Sequence, residues 1–232
     1  LPFVRQRRII DFVLSNLYHS GFNQLLILTQ YQPASLHRHL QQYWQPLFAR
    51  SGTLQLCQAP ADADQGTAGA VAHQLSVIRD YRPDVIAVLS ADHVYKMDYR
   101  QMLAFHLKQK AAVTVSAAVI PVSQARQFGI FSTDKQHHIV SFCEKPQADI
   151  PTIPDRPGYA LASMGNYLFD ARYLCRVDCD TSGKALCARG TARCAQPFVI
   201  LEIDKQRVER LHAAGVGREQ SQRTHHLIGE RP

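Results

Sequence analysis

A run of apolar residues, Val85-Ile86-Ala87-Val88-Leu89, stops abruptly at Ser90-Ala91-Asp92. An unbroken apolar run of this length marks a strand buried on both faces, as in a parallel sheet covered by helices. Ligands of open α/β sheets bind beyond the carboxyl ends of such strands. Asp92 therefore stands where a carboxylate would meet a ligand. It either holds Mg²⁺ on a phosphate or caps the helix that follows, and the run alone leaves both readings open.

The neighbouring segments repeat the alternation. Ile9, Phe12, Val13 and Leu17 share one helical face, and Leu25-Leu26-Ile27-Leu28 follows as a strand. Leu36 to Tyr43 reads as helix, Leu54 to Cys57 as strand, and Thr67 to Asp80 as helix with Val71, Leu75 and Ile78 on one side. After Val85 to Leu89 come a helix over Tyr99 to Lys110 and a strand over Ala112 to Val119. From there strands crowd together at Gly129 to Ser132, Ile139 to Cys143 and Ala160 to Phe169. The expected fold class is α/β: a mixed, mostly parallel sheet with helices on both faces, antiparallel only at its far side.

The net charge of +7 permits a phosphate-bearing partner. The basic residues are scattered, without the aromatic interleaving of a single-strand binder, so no nucleic-acid partner is expected. No run approaches a membrane span, so no membrane partner is expected either. The six cysteines form no Cys-x-x-Cys pair, and Cys175, Cys179, Cys187 and Cys194 have irregular spacing that does not suit zinc. Reduced thiols in a cytoplasmic protein are expected. His225-His226 reads as exposed tail.

The chain changes character near Leu174. Residues 1–174 read as a partial domain, and residues 175–232 as a divergent, poorly ordered tail. Within that tail, Gln196 to Leu211 has the pattern of a strand and then a helix, while Gly215 to Pro232 is polar and basic. The chain opens on Leu1-Pro2-Phe3, already in structured-looking sequence, and further residues upstream are expected. A shifted reading frame would account for the tail. That idea fails if neither alternative frame of the coding sequence continues the domain pattern.

Several separated segments resemble one family. They are Arg8-Ile9-Ile10-Asp11-Phe12-Val13-Leu14-Ser15-Asn16, Thr29-Gln30-Tyr31-Gln32, Gly66-Thr67-Ala68, Asp92-His93-Val94-Tyr95-Lys96-Met97-Asp98-Tyr99, Phe128-Gly129-Ile130, Glu144-Lys145-Pro146 and Ala162-Ser163-Met164-Gly165-Asn166-Tyr167. In order and spacing, from about Pro2 to Leu174, they are similar to the ADP-glucose pyrophosphorylases, or glucose-1-phosphate adenylyltransferases. The resemblance implies a Rossmann-like nucleotide-sugar transferase domain, and the family's β-helix domain is not found in this sequence. It implies that ATP and α-glucose 1-phosphate give ADP-glucose and pyrophosphate, for glycogen or starch synthesis, with Mg²⁺ as cofactor and a homo-oligomer, the family tetramer, as the assembly.

The resemblance also implies roles for individual residues. Asp92 becomes the metal-binding and catalytic carboxylate, and Lys145 the catalytic point charge for the sugar phosphate. Gly129, Glu144, Lys145 and Ser163 become substrate-binding residues. Glycine lets the backbone approach the sugar, and the glutamate and serine meet its hydroxyls. Gln30, Tyr31, Gly66, Thr67 and Ala68 fall to the nucleotide, the last three where a helix begins.

Departures from the family pattern shape the expectation for activity. The Gly-rich phosphate loop is not found, Asp64-Gln65 stand where the family has an aromatic-rich pair, and Gly69 replaces an aspartate. The segment bearing a second metal carboxylate is not found after Leu174. The chain as given is expected to bind nucleotide weakly and turn over little. A related enzyme using UTP or dTTP, and a non-catalytic or regulatory subunit, stand as alternatives.

Overall fold

The apolar runs become strands in the computed structural model, which describes residues 2–4, 7–29, 34–58, 66–174, 198–203 and 225–228. A hairpin of β1 (Pro2–Val4) and β2 (Arg7–Arg8) leads into α1 (Ile10–His19) and β3 (Gln24–Thr29). Then follow α2 (Ala34–His39), a π-helical turn (Leu40–Trp44), α3 (Gln45–Phe48), β4 (Thr53–Gln58), α4 (Gly66–Ala72), α5 (Leu75–Tyr81) and β5 (Val85–Ser90). The rest comprises α6 (Tyr99–Gln109), β6 (Val113–Pro121), a 3-10 turn (Val122–Gln127), β7 (Gly129–Thr133), β8 (Ile139–Glu144), β9 (Tyr159–Asp170), β10 (Phe198–Ile203) and β11 (His225–Ile228).

Nine strands form one sheet in the order β11-β6-β9-β5-β10-β3-β4, with β7 pairing β9 and β8 pairing β7. Helices cover both faces of its parallel part, as expected. Alternate residues of β3 and β5 show this directly. Leu25, Ile27, Val85, Ala87 and Leu89 pack with Val13, Leu14 and Leu17 of α1 and with Tyr99 and Met102 of α6. Leu26, Leu28, Ile86 and Val88 pack on the other face with Ala70, Val71, Leu75 and Ile78. Both strands are therefore apolar without alternation because neither has a solvent face.

Three expectations need correction. The sheet is mixed as expected, but its parallel share is smaller: β5, β10, β3 and β4 are parallel, whereas β9 runs antiparallel to β5, β6 and β7, β7 to β8, and β6 to β11. For β7 and β8 the physical cause is connection length: five residues join them, too few for the crossover of a dozen or more residues that a parallel return needs. The helix over Thr67 to Asp80 is interrupted at His73-Gln74, where Gln74 leaves helical geometry at ψ 2°. The helix over Leu36 to Tyr43 widens into the π turn. There the buried Asp11 carboxylate gathers His39 Nε2 at 2.7 Å and Trp44 Nε1 at 2.8 Å on Oδ1, while Oδ2 accepts the Arg8 amide at 2.7 Å.

Two strands come from the C-terminal segment. The strand expected after Gln196 forms as β10 and enters the middle of the sheet, while the helix expected to follow lies outside the described residues. Part of the segment expected to lack regular structure, His225–Ile228, pairs antiparallel with Thr114 to Ala117 on the open edge of β6. Unpaired edge amides and carbonyls accept such a strand readily. Cys57 and Cys143 are free thiols, and the other four cysteines lie outside the described residues. Among the described residues no helix is long and apolar enough to cross a membrane.

Asp98 caps α6. Its carboxylate accepts the Arg100 amide at 3.0 Å and pairs with the Arg100 guanidinium at 2.7 Å. The guanidinium bond is the main cause that holds the Asp98 carboxyl below its ordinary 3.8. A depressed folded value means that this stabilisation is present above the unfolded value and is lost as pH falls through the folded one. Asp98→Asn keeps the cap but removes the charge. Urea denaturation is expected to show the variant less stable than the native chain at pH 7, by under about 1 kcal/mol for so exposed a pair. The gap should close below pH 4.

Candidate active site

β3 and β5 end at Thr29 and Ser90 on either side of β10. Asp92 lies just beyond Ser90, so the strand delivers it to the carboxyl edge of the sheet. Its side chain is fully buried against His93. Oδ1 accepts the Ser90 hydroxyl at 2.6 Å and contacts His93 Nδ1 at 2.9 Å. His93 in turn stacks on Tyr95, with ring centroids 4.6 Å apart. The alternative reading of Asp92 as a helix cap does not apply, because α6 starts later and its cap is Asp98.

A second polar buried group ties this edge to β9. Asn166 Oδ1 accepts the Ser90 amide at 3.2 Å and the Tyr95 hydroxyl at 3.3 Å. Tyr95 meets the buried Tyr99 hydroxyl at 2.5 Å. Burial pushes the Tyr99 phenol well above its ordinary value, so it stays neutral and serves as a hydrogen-bonding strut. Asn166 follows an irregularity in β9: Ser116 pairs with Asn166, but Ala117 pairs with Ser163. Met164 and Gly165 are thus extra residues, accommodated by Gly165 at φ 71°. Bulges of this kind re-aim a side chain, and here they set Ser163. Its Oγ accepts the Gly165 amide at 3.2 Å and meets the Tyr167 hydroxyl at 3.2 Å.

Ser163 belongs to a row that runs across three strands. Ile130 pairs with Ala162 and Phe131 with Leu161, and Gly129 and Ser163 are the next residues of the two strands, just beyond the end of that ladder. Gly129 pairs with Glu144 on its other side. Three residues distant in sequence therefore lie abreast on one face: a hydroxyl, a bare backbone and a carboxylate. Lys145 closes the row. It takes a left-handed conformation, φ 47°, while its amide donates to the Phe128 carbonyl at 3.1 Å. A non-glycine residue there is strained, and the following Pro146 restricts it further. Strain of this sort persists where surrounding structure holds a residue for use. Its Nζ lies 3.4 Å from Glu144 Oε1, and both side chains are partly open to solvent.

The space beside Gly129 is taken. A Cβ there would lie 2.5 Å from Phe142 Cε2 and 2.9 Å from Glu144 Oε2. Both obstacles are the far ends of exposed side chains that can swing away. Gly129→Ala is therefore expected to change folding stability by less than about 1 kcal/mol, while displacing Phe142 and Glu144 from the row. Thermal unfolding together with ligand titration would separate the two effects.

Gly66, Thr67 and Ala68 open α4 as the sequence suggests. Gln30 and Tyr31 lie outside the described residues. The sequence assigns no role to Phe142, Tyr167 or Asn166, although Asn166 and Tyr167 lie in a matched segment and Phe142 stands two residues before Glu144, where strand alternation puts both on one face.

A sequence profile described as nucleotidyl transferase matches residues 1–185. Over 180 residues the chain is 44% identical to a glucose-1-phosphate adenylyltransferase of Dechloromonas aromatica (strain RCB), covering 75% of this chain and 41% of that protein. A glucose-1-phosphate adenylyltransferase of Pectobacterium carotovorum subsp. carotovorum (strain PC1) is 43% identical over 173 residues, 72% of this chain and 40% of its own. One of Methylococcus capsulatus is 42% identical over 191 residues, 79% of this chain and 45% of its own. The chain spans about two-fifths of the length of these curated relatives.

Proposed function

We propose, on the premise that the chain belongs to the nucleotidyl transferase family, that its polar row binds the sugar phosphate for glucose-1-phosphate adenylyl transfer. The single observation that carries this reading is the alignment of Ser163, Gly129 and Glu144 across adjacent strands, with Lys145 at the end. A hexose phosphate needs acceptors and donors for its hydroxyls, a flat approach, and one compact cation for its phosphate. The row offers each. The relatives' names point to ATP as co-substrate and to ADP-glucose as product.

In this reaction the sugar phosphate oxygen attacks the α-phosphorus of ATP in line, forming the new phosphoanhydride as the bond to pyrophosphate breaks. No covalent enzyme intermediate is needed, so the protein has to align two anions and offset their repulsion. Lys145 lowers the charge of the attacking phosphate, Glu144 and Ser163 fix the ring by its hydroxyls, and Asp92 lies at the edge where the triphosphate would arrive. Gln30, Tyr31 and Gly66 to Ala68 are the proposed nucleotide contacts.

Mg²⁺ is the proposed cofactor. Among the described residues no group of three or more metal-ligating side chains is gathered. Magnesium on a nucleotide takes one or two protein carboxylates and draws its other ligands from phosphates and water, so the hard oxygens of Asp92 fit that share. When bound, the ion would screen phosphate charge. A cytoplasmic homo-oligomer is the corresponding reading of the whole protein.

The test is equilibrium binding of α-glucose 1-phosphate to the chain, followed by saturation-transfer NMR. Saturable binding that is stronger than for glucose or inorganic phosphate alone is expected. Equal binding of all three, or of none, would overturn the assignment of the row.

A further inference from the structure

Phe142 is a large apolar side chain left about half exposed, at 51%, in the middle of a row-forming face. It sits on β8 two residues before Glu144, and its ring leans over the bare backbone of Gly129. Behind it lies Phe131, a buried neighbour with its ring centroid 5.0 Å away and tilted by 40°. The ring is thus held from one side by an aromatic partner and from below by a glycine, with the other side open. Glu144 Oε2 shares the same space above Gly129. An exposed aromatic face flanked by a carboxylate and a lysine combines what a pyranose presents: axial C–H groups for the ring, hydroxyls for the carboxylate, and a phosphate for the ammonium.

We infer that Phe142 is the stacking surface for the hexose ring of the sugar phosphate. The inference rests on the proposed role of the Ser163, Gly129, Glu144 row and adds to it a residue that selects a sugar. The negative face of an aromatic ring attracts polarised C–H groups. Gly129 then has a second purpose: without a Cβ, it lets the Phe142 ring lie low beside Glu144 rather than stand out into the site. The competing account is that Phe142 only shields Gly129 and the β7–β8 ladder, as aromatic residues do for glycines in sheets.

The two accounts separate by experiment on the intact chain. An aromatic contact of ordinary strength amounts to about three- to tenfold in affinity. Phe142→Leu retains an apolar cover over Gly129 but has no ring face. It is expected to unfold at nearly the native temperature and to bind α-glucose 1-phosphate three- to tenfold more weakly. Phe142→Tyr should bind like the native chain, and inorganic phosphate should bind alike to all three. Saturating the Phe142 ring protons in the native chain should transfer magnetisation to the sugar's ring C–H protons. Native affinity in Phe142→Leu, or transfer absent while binding persists, would overturn the stacking role and leave the row intact. Failure of the native chain to bind glucose 1-phosphate at all would instead overturn the proposed function, and this inference with it.

Discussion

Placing aspartate at position 199 is expected to unfold the domain. Val199 is fully buried in β10, among the side chains that join α1, α6 and the centre of the sheet. β10 is hydrogen-bonded in parallel on both sides, with Val199 level with Leu25 of β3 and Ala87 of β5. A carboxylate there would have neither water nor a cation. An unpaired buried charge costs several kcal/mol at least, against a total stability of about 5–15 kcal/mol for an ordinary domain. Val199→Asp should therefore give insoluble protein or a chain without a cooperative unfolding transition. Val199→Thr, which keeps the shape and adds one hydroxyl, should fold with a reduced midpoint. If Val199→Asp unfolded like the native chain, β10 would not stand in the core, and β3 and β5 would have to pair differently.

The second expectation separates stability from binding at one residue. Lys145 is held at φ 47°, and its partly exposed side chain pairs loosely with Glu144 at 3.4 Å. Glycine tolerates that conformation freely, so Lys145→Gly is expected to leave the unfolding midpoint unchanged or to raise it, by roughly 0.5–1 kcal/mol. The same change removes the only charge assigned to the sugar phosphate. Hydrogen bonds to charged groups contribute about 1.5–3 kcal/mol, so affinity for glucose 1-phosphate should fall about ten- to a hundredfold. A structural lysine would give the opposite pairing, with stability lost and affinity kept. Calorimetric unfolding and ligand titration on one preparation provide both numbers.

Much of the scaffold was legible because burial on two faces writes itself as unbroken apolar runs. Val85 to Leu89 and Leu25 to Leu28 could be read as central strands from that property alone. The direction of pairing was not legible in the same way. The antiparallel partners of β9 are distant in sequence, and the bulge at Met164-Gly165 depends on contacts with β6 rather than on local pattern. The place of β10 was hidden for a similar reason: a strand can be read from Phe198 to Ile203, but its slot between β3 and β5 is a long-range choice.

For the site, the resemblance named Gly129, Glu144, Lys145 and Ser163 separately, and only the register lined up Ser163, Gly129 and Glu144. The left-handed strain at Lys145 and the ring of Phe142 over Gly129 are tertiary facts with no spacing to announce them. Asn166 is similar. Its hydrogen bonds to Ser90 and Tyr95 tie the strand end that carries Asp92 to the bulge that carries Ser163, across a sequence separation that no local pattern reports.

One row of residues on β9, β7 and β8 is proposed to bind a hexose phosphate. The most direct measurement is a map of backbone amide shifts as α-glucose 1-phosphate is titrated into the chain. Gly129, Glu144, Lys145 and Ser163 are expected to move together along a single saturation curve, with the largest changes on the chain. Saturable binding whose largest shifts fall elsewhere, with these four unmoved, would contradict it.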